Sequence, residues 1–241
     1  MNFDFSKLKD SLLIVVVAYR HPKVIQYSLE SLLDIIKSKN NTWVVLIDNN
    51  SDCAVKTVLD KLQSDKLIRF SLPFNFGRGL AANFFFKEYI SQENLPKTIV
   101  GLDPDIVFSK ESFDRLIDAS ENCQKVGMLG MRYLDNSCNP ERNLFFKPKK
   151  VIGKDNVDYY ITSPFMCTVA GGVFAIDAKK IFFECNNQLF PKEKIQVYGL
   201  DDSSLYAKLR WKYINGYLEG TQATHLYSGA NRANGFEYLF N

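Results

Sequence analysis

The stretch Leu12-Leu-Ile-Val-Val-Val-Ala18 constrains this chain more than any other. A continuous run of mostly β-branched residues has no polar face to offer water. It reads as a strand covered on both sides, the kind found in parallel sheets. Pro22 then suits a first helical position, and Val24, Ile25, Leu29, Leu32, Leu33 and Ile36 recur at helical spacing as one apolar stripe. The alternation repeats. Trp43-Val-Val-Leu-Ile47 is a second buried strand ending on Asp48, and Ser51 and Asp52 can cap a helix carrying Val55, Val58, Leu59 and Leu62. Residues 67–72 read as a short strand, 80–90 as a helix and 98–102 as a fourth strand; Ser109 caps a helix through Phe113, Leu116 and Ile117. Such alternation predicts an α/β fold with a mostly parallel sheet and helices on both faces.

The second half is less regular. Residues 126–133 read as a strand, and 135–155, with Asn136, Pro140, Pro148 and Lys147-Pro-Lys-Lys150, as a long loop or lid. Residues 168–176 return to the sheet, with Gly171-Gly172 marking a bulge or a close backbone approach. A helix opens at Asp201 and runs to about Asn215, and 217–225 form a final strand. The length of 241 residues fits one domain. A net charge of +3 gives no electrostatic case for nucleic acid. The five cysteines include no C-x-x-C pair, which points to a reduced, cytoplasmic compartment. The start mixes Asp4 and Asp10 with Lys7 and Lys9, unlike a signal peptide, and the apolar run at Leu12 is far too short to span a membrane. Lys147, Lys149 and Lys150 beside Phe145 and Phe146 read equally as a solvated basic loop or as a peripheral contact with an anionic membrane surface.

Chemistry is expected where strands end, because loops there carry polar groups without disturbing the core. Those ends carry Ala18-Tyr-Arg20, Asp48-Asn-Asn-Ser-Asp52, Asn75-Phe-Gly-Arg-Gly79 and Asp103-Pro-Asp105. Neither G-x-G-x-x-G nor G-x-x-x-x-G-K-[ST] is present, which removes the main support for a dinucleotide fold or a P-loop. Gly77-Arg-Gly79 can bring backbone and a guanidinium toward phosphates. Asp103 and Asp105 can share one hard cation, Mg2+ or Mn2+, or serve simply as turn residues. Asp201-Asp202 opens a helix, where one carboxylate can cap and the other can act as a general base. His225 closes the last strand, either as a structural residue or as a ligand.

In this order, and over nearly the whole chain, the blocks resemble glycosyltransferase family 2, and within it the bacterial rhamnosyl- and galactofuranosyltransferase-like members. Ile14-Val-Val-Val-Ala-Tyr-Arg20 is similar to its opening strand and donor-base loop, and Val45-Leu-Ile-Asp-Asn-Asn-Ser-Asp52 to its V-D-N-x-S-x-D segment. Asn75-Phe-Gly-Arg-Gly-Leu-Ala-Ala-Asn83 resembles its N-x-G-x-x-x-G-x-N loop, and Leu102-Asp-Pro-Asp105 its D-x-D motif. Ala170-Gly-Gly-Val-Phe-Ala-Ile176 is similar to the strand under its acceptor site, Tyr198-Gly-Leu-Asp-Asp-Ser-Ser-Leu205 to its catalytic helix, and His225 to its late metal-binding histidine.

The resemblance implies the GT-A fold, with a nucleotide-sugar-binding half over about 1–108 and an acceptor-binding, catalytic half over about 109–241. It implies a nucleotide-sugar donor, UDP- or dTDP-linked, a saccharide or lipid-linked saccharide acceptor, and Mn2+ or Mg2+ as cofactor. Ala18, Tyr19 and Arg20 would frame the base and Asp48 read its edge, with Asn75, Gly77, Arg78 and Asp103 on the rest of the donor. Asp103, Asp105 and His225 would hold the metal, Asp202 would be the base, and Gly171, Gly172 and Asp201 would face the acceptor. The family often has Glu at the position of Asp201 and a third acid at that of Ser204, and many members continue well beyond the equivalent of His225. Two rivals stand beside this reading. One is a non-catalytic binding subunit of the same fold, against which the joint retention of Asp103, Asp105, Asp202 and His225 argues. The other is a sugar nucleotidyltransferase, whose Gly-rich basic loop after the first strand Ala18-Tyr-Arg-His-Pro22 does not match.

Overall fold

The computed structural model describes residues 3–134, 147–164, 168–169, 171–191, 201–228 and 231–232. Its main elements are β1 (Leu12–Ala18), α1 (Pro22–Ile36), β2 (Thr42–Asp48), α2 (Cys53–Lys61), β3 (Leu67–Ser71), α3 (Arg78–Tyr89), β4 (Thr98–Leu102), β5 (Ile106–Phe108), α4 (Lys110–Asn122), β6 (Val126–Tyr133), β7 (Lys149–Ile152), β8 (Asp158–Thr162), β9 (Val173–Asp177), α5 (Ala178–Glu184), α6 (Asp201–Leu209) and β10 (Ile214–His225). Among the described residues one sheet runs in the order β3-β2-β1-β4-β9-β6-β10-β8-β7, with β5 paired to β10.

The expected double cover of β1 is present, and alternation shows how. Leu12, Ile14 and Val16 pack with Ile25 and Leu29 of α1, Val55 of α2 and Phe113 of α4. Leu13 and Val15 face the other way, with Phe85 of α3, Ile181 of α5 and Leu205 of α6. Asp52 accepts from the Val55 amide and Ser109 from that of Ser112, so both expected caps form.

Parallel pairing is unbroken only through the first half, although β6 and β10 also run parallel. The β1–β2, β2–β3 and β1–β4 pairs are parallel. Beyond β4 the sheet turns mixed, because β9 lies antiparallel between β4 and β6 and the β7–β8 hairpin is antiparallel as well. Burial on both faces specifies that β9 is covered but not which way it runs. Three local expectations also change. Lys149–Ile152, read as loop, is an edge strand, since Val151 is 6% exposed and anchors it while both lysines face out. The strand expected from 168 begins at Val173. The helix expected to reach Asn215 stops at Leu209, because Ile214 is already paired with Val126. Phe145, Phe146 and the Tyr198-Gly-Leu approach to α6 lie outside the described residues, as does part of the expected lid. No helix among the described residues is long and apolar enough to cross a membrane.

Candidate functional site

The loops after β1, β2 and β3 meet at one end of the sheet. The Asn49 amide donates to the Ala18 carbonyl (3.1 Å), and the Ser51 hydroxyl does the same (3.2 Å), tying the first two strand ends together. Asp48 is 6% exposed and accepts from the Ser51 amide at 2.8 Å, so one of its oxygens shapes its own loop. It also borders a cleft of about 260 Å3 with Lys56, Arg69 and Ser71. Arg20 (φ 65°) and His21 (φ 57°) both sit in the left-handed region, a strained pair for non-glycine residues. His21 rests against the Tyr227 ring, centroids 4.6 Å apart. The Tyr19 ring carries the Arg20 guanidinium at 5.1 Å, and hydrogen bonding to Asn75 and then to Arg20 lowers its phenol pKa.

Asn75 ties this rim to α3. Its Oδ1 accepts from Asn49 Nδ2 (2.8 Å) and from the Gly77 amide (2.9 Å), and Asn49 Oδ1 accepts from the Phe76 amide (3.0 Å). Gly77 takes φ 75° at the start of α3, a conformation that a side chain would strain. Asn49 organises this rim without any signal in the sequence. It lies within the quoted Asp48-Asn-Asn block but carries no charge.

The D-x-D segment follows from sheet register. β4 ends at Leu102, and Pro104 has no amide with which to continue the ladder. The Asp103 amide donates to the Gly172 carbonyl at 2.7 Å. β5 then pairs with the end of β10, Ile106 opposite His225, and the Leu226 amide donates to the Asp105 carbonyl at 2.8 Å. That register brings Asp105 Oδ2 to 3.1 Å from His225 Nε2. Asp103 turns elsewhere: its Oδ1 meets Arg78 Nε at 3.0 Å. Burial raises the Asp103 pKa, the Arg78 charge opposes that, Asp105 adds to it, and His225 and Asp202 act in turn against and with it.

Arg78 is the hub. It donates to the Gly171 carbonyl at 2.5 Å and lies over the Phe190 ring at 4.9 Å. Burial disfavours its charge, but Asp103, Asp202 and Asp201 around it carry its pKa upward. The Gly171 amide in turn donates to Asp202 Oδ2 at 2.9 Å. Close approach explains the paired glycines: a methyl on Gly171 would lie 2.6 Å from Asp202 Cβ, and one on Gly172 would lie 2.2 Å from the Tyr133 hydroxyl. The Tyr133 ring stands 5.8 Å from that of His225. Asp201 and Asp202 are the first residues of α6. The Asp201 carboxylate does not turn outward; a methyl on Gly79, in the first turn of α3, would lie 2.7 Å from its Oδ1.

The fold thus gathers Arg78, Asp103, Asp105, His225, Asp202, Gly171 and Gly172 into one cluster, with Tyr19, Arg20, Asp48, Asn75 and Gly77 along its rim. Tyr133 and Phe190 complete it without a sequence signal, since an aromatic in a strand or before a proline reads as core. As a metal site the cluster offers two convergent donors, the Asp105 carboxylate and the His225 imidazole, a set that Mn2+ accepts. Among the described residues no third His, Cys, Asp or Glu converges with them, Asp103 being held by Arg78. The residues therefore fit a cation that completes its shell with ligand oxygens and water.

Several solved structures share this architecture. A mannosyltransferase from Pyrobaculum calidifontis in complex with GDP-Man and Mn2+ superposes with a TM-score of 0.65 at 14% identity, covering 97% of this chain and 60% of that one. GalNAc-T7 with UDP, GalNAc and Mn2+ gives 0.62 at 17% identity, covering 93% and 44%. S. aureus TarS 1–349 in complex with UDP-GlcNAc gives 0.60 at 16% identity, covering 95% and 64%. The chain spans less than two thirds of each of these. No curated sequence matches it. Glycosyl transferase family 2 matches residues 13–182, from β1 into α5, and this chain belongs to that family.

Proposed function

We propose that this chain is an inverting, metal-dependent glycosyltransferase, moving a sugar from a UDP- or dTDP-linked donor to a hydroxyl of a saccharide or lipid-linked saccharide in bacterial surface polysaccharide synthesis. One observation carries the proposal. A guanidinium, a carboxylate–imidazole pair and a separately held carboxylate, drawn from α3, the β4–β5 link, β10 and α6, stand around the same glycine turn. Diphosphate and metal recognition need the first two and acceptor activation needs the third. The GDP-Man, UDP and UDP-GlcNAc held by the structural neighbours support a nucleotide-sugar donor.

Asp105 and His225 would hold the cation, which when bound supplies Lewis-acid stabilisation of charge on the departing diphosphate. Arg78 offers a second positive group beside it and keeps Asp103 in place. Asp202 is fixed through Oδ2 by the Gly171 amide, which leaves Oδ1 to accept the acceptor hydroxyl proton. One base on the face opposite the leaving group suffices for direct displacement, and that displacement inverts the anomeric carbon. Tyr133 and Phe190 shield the turn from water. The test is nucleotide release from a panel of UDP- and dTDP-sugars with and without Mn2+, with the anomeric configuration of the product read by NMR. Absence of turnover with every donor would favour the binding-subunit alternative, and a retained configuration would remove the single-base mechanism.

A further inference from the structure

Beyond Asp202 the sheet carries a second polar group that the donor chemistry does not use. Arg132 on β6 meets Glu219 on β10 at 2.6 Å, and the Thr162 hydroxyl on β8 donates to the same Glu219 Oε1 at 2.5 Å. All three side chains point to the α6 side. Gly130 and Tyr217, two residues before Arg132 and Glu219, pack with Val169, and Tyr217 shares a cluster with Leu205 and Leu209 of α6. On the hairpin, Val151, Tyr159 and Ile161 are buried toward the opposite face. Their alternates Lys150, Ile152 and Tyr160 face outward on the Thr162 side, Tyr160 being 43% exposed and Lys150 standing opposite it in register. The row begins at the catalytic turn, because β9 is the neighbour of β6 and β9 starts directly after Gly171-Gly172.

From Gly172 on β9 through Arg132, Glu219 and Tyr160 to Lys150 on β7 is four strand steps, or about 19 Å. Arg132 and Glu219 are each about a third exposed, at 30% and 29%, so both keep a solvent side. A charged pair with a hydroxyl, followed by an exposed aromatic ring, offers donors and acceptors to sugar hydroxyls and a flat apolar face to a sugar ring. A pair that only tied β6 to β10 would need neither the ring in line with it nor the lead from Asp202. We infer that this row is the acceptor subsite and that the acceptor is a chain of several sugar units laid across the strands, its terminal hydroxyl at Asp202. The inference rests on the glycosyltransferase reading and deepens it.

The whole chain is applied to an array of bacterial saccharides graded by length, alongside Tyr160→Ala and Tyr160→Phe. The wild-type signal should rise with chain length. Tyr160→Ala should weaken it about tenfold and Tyr160→Phe should retain it, since the ring face does the work. Tyr160 is outside the core, so both variants should melt with the wild type. An array without wild-type binding, a signal indifferent to length, or full binding by Tyr160→Ala would overturn the subsite. So would self-association of the wild type that Tyr160→Ala abolishes, since that assigns the face to a second copy. A thermal shift with UDP and Mn2+ on the same sample separates the two readings. A UDP shift with a negative array removes only the subsite, whereas length-dependent array binding without a UDP shift removes the donor reading and keeps a saccharide platform.

Discussion

A carboxylate that takes a proton from an alcohol has to be held still without having both oxygens engaged. Asp202 meets that demand through the single Gly171 amide at 2.9 Å. Asp202→Asn keeps the shape and removes the proton acceptor, so kcat should fall about 10²–10⁴-fold with UDP affinity near wild type. Initial rates combined with UDP inhibition constants check both halves, and an unchanged kcat would remove the role. Asp105→Ala takes away one of the two convergent donors. It should abolish Mn2+ stimulation of UDP binding while leaving the Asp202 contacts intact, as titration with and without Mn2+ will show. Asp105 is legible in the sequence as one of two carboxylates just beyond a buried strand, and Asp202 as a second acid at a helix start where one suffices as a cap. Arg78 is only half legible. Gly77-Arg-Gly79 suggests a guanidinium available to phosphates, yet the contacts with Asp103 and Gly171 exist only once α3, β4 and β9 are packed together. Asp201 is less legible still: a helix-opening acid suggests a cap or an acceptor contact, and nothing local reveals that Gly79 of another helix leaves room for it.

At the scale of elements, β1, β2 and β4 declare themselves by uninterrupted apolar runs, and α1, α2 and α4 by apolar periodicity, the last two with caps as well. What sequence pattern cannot supply is direction. Val173-Phe-Ala-Ile176 is apolar on both faces and would read the same in a parallel or an antiparallel slot. Nor do Lys149 and Lys150 announce an edge strand, since the charges that protect an edge from pairing also resemble a loop. The α5 helix follows β9 without any turn residue between them; Asp177 ends the strand and caps the helix, accepting from the Lys179 amide at 2.9 Å. The junction between β4 and β9 makes a strict prediction. Gly101 faces Phe174 across it, and a methyl there would lie 2.3 Å from the ring. Phe174 is itself wedged against Phe190, centroids 6.0 Å apart, beneath Arg78. Gly101→Ala should cost about 1–3 kcal/mol in urea unfolding. Because the displaced ring presses toward Arg78, it should also lower turnover, and a variant of wild-type stability would show that the β4–β9 junction has slack.

Over the whole molecule, a fold shared at 14–17% identity is held by patterning rather than by particular residues. The site depends instead on a few positions brought together by that fold. Its charges explain why the site should respond to ligands as a unit. Arg78, Asp105, Asp202 and His225 come from segments far apart in sequence but all act on the charge state of Asp103. A ligand that bridges them ties α3, α6 and β10 together and therefore stabilises the native state as a whole. Binding to the native state alone adds RT ln(1 + [L]/Kd), about 2.7 kcal/mol at a hundredfold excess over Kd. For a chain of this size each kcal/mol moves Tm by about 2–4 °C, so UDP at that excess with Mn2+ should raise Tm by about 5–11 °C. With EDTA in place of Mn2+ most of the shift should vanish, because Arg78 alone would then face the diphosphate charge beside three carboxylates. Differential scanning fluorimetry of the wild type and Asp105→Ala separates the contributions: the variant should show the small EDTA-like shift even in Mn2+. An equal UDP shift in Mn2+ and in EDTA would mean that the Asp105–His225 pair holds no cation during donor binding, and the metal-dependent part of the mechanism would have to be abandoned.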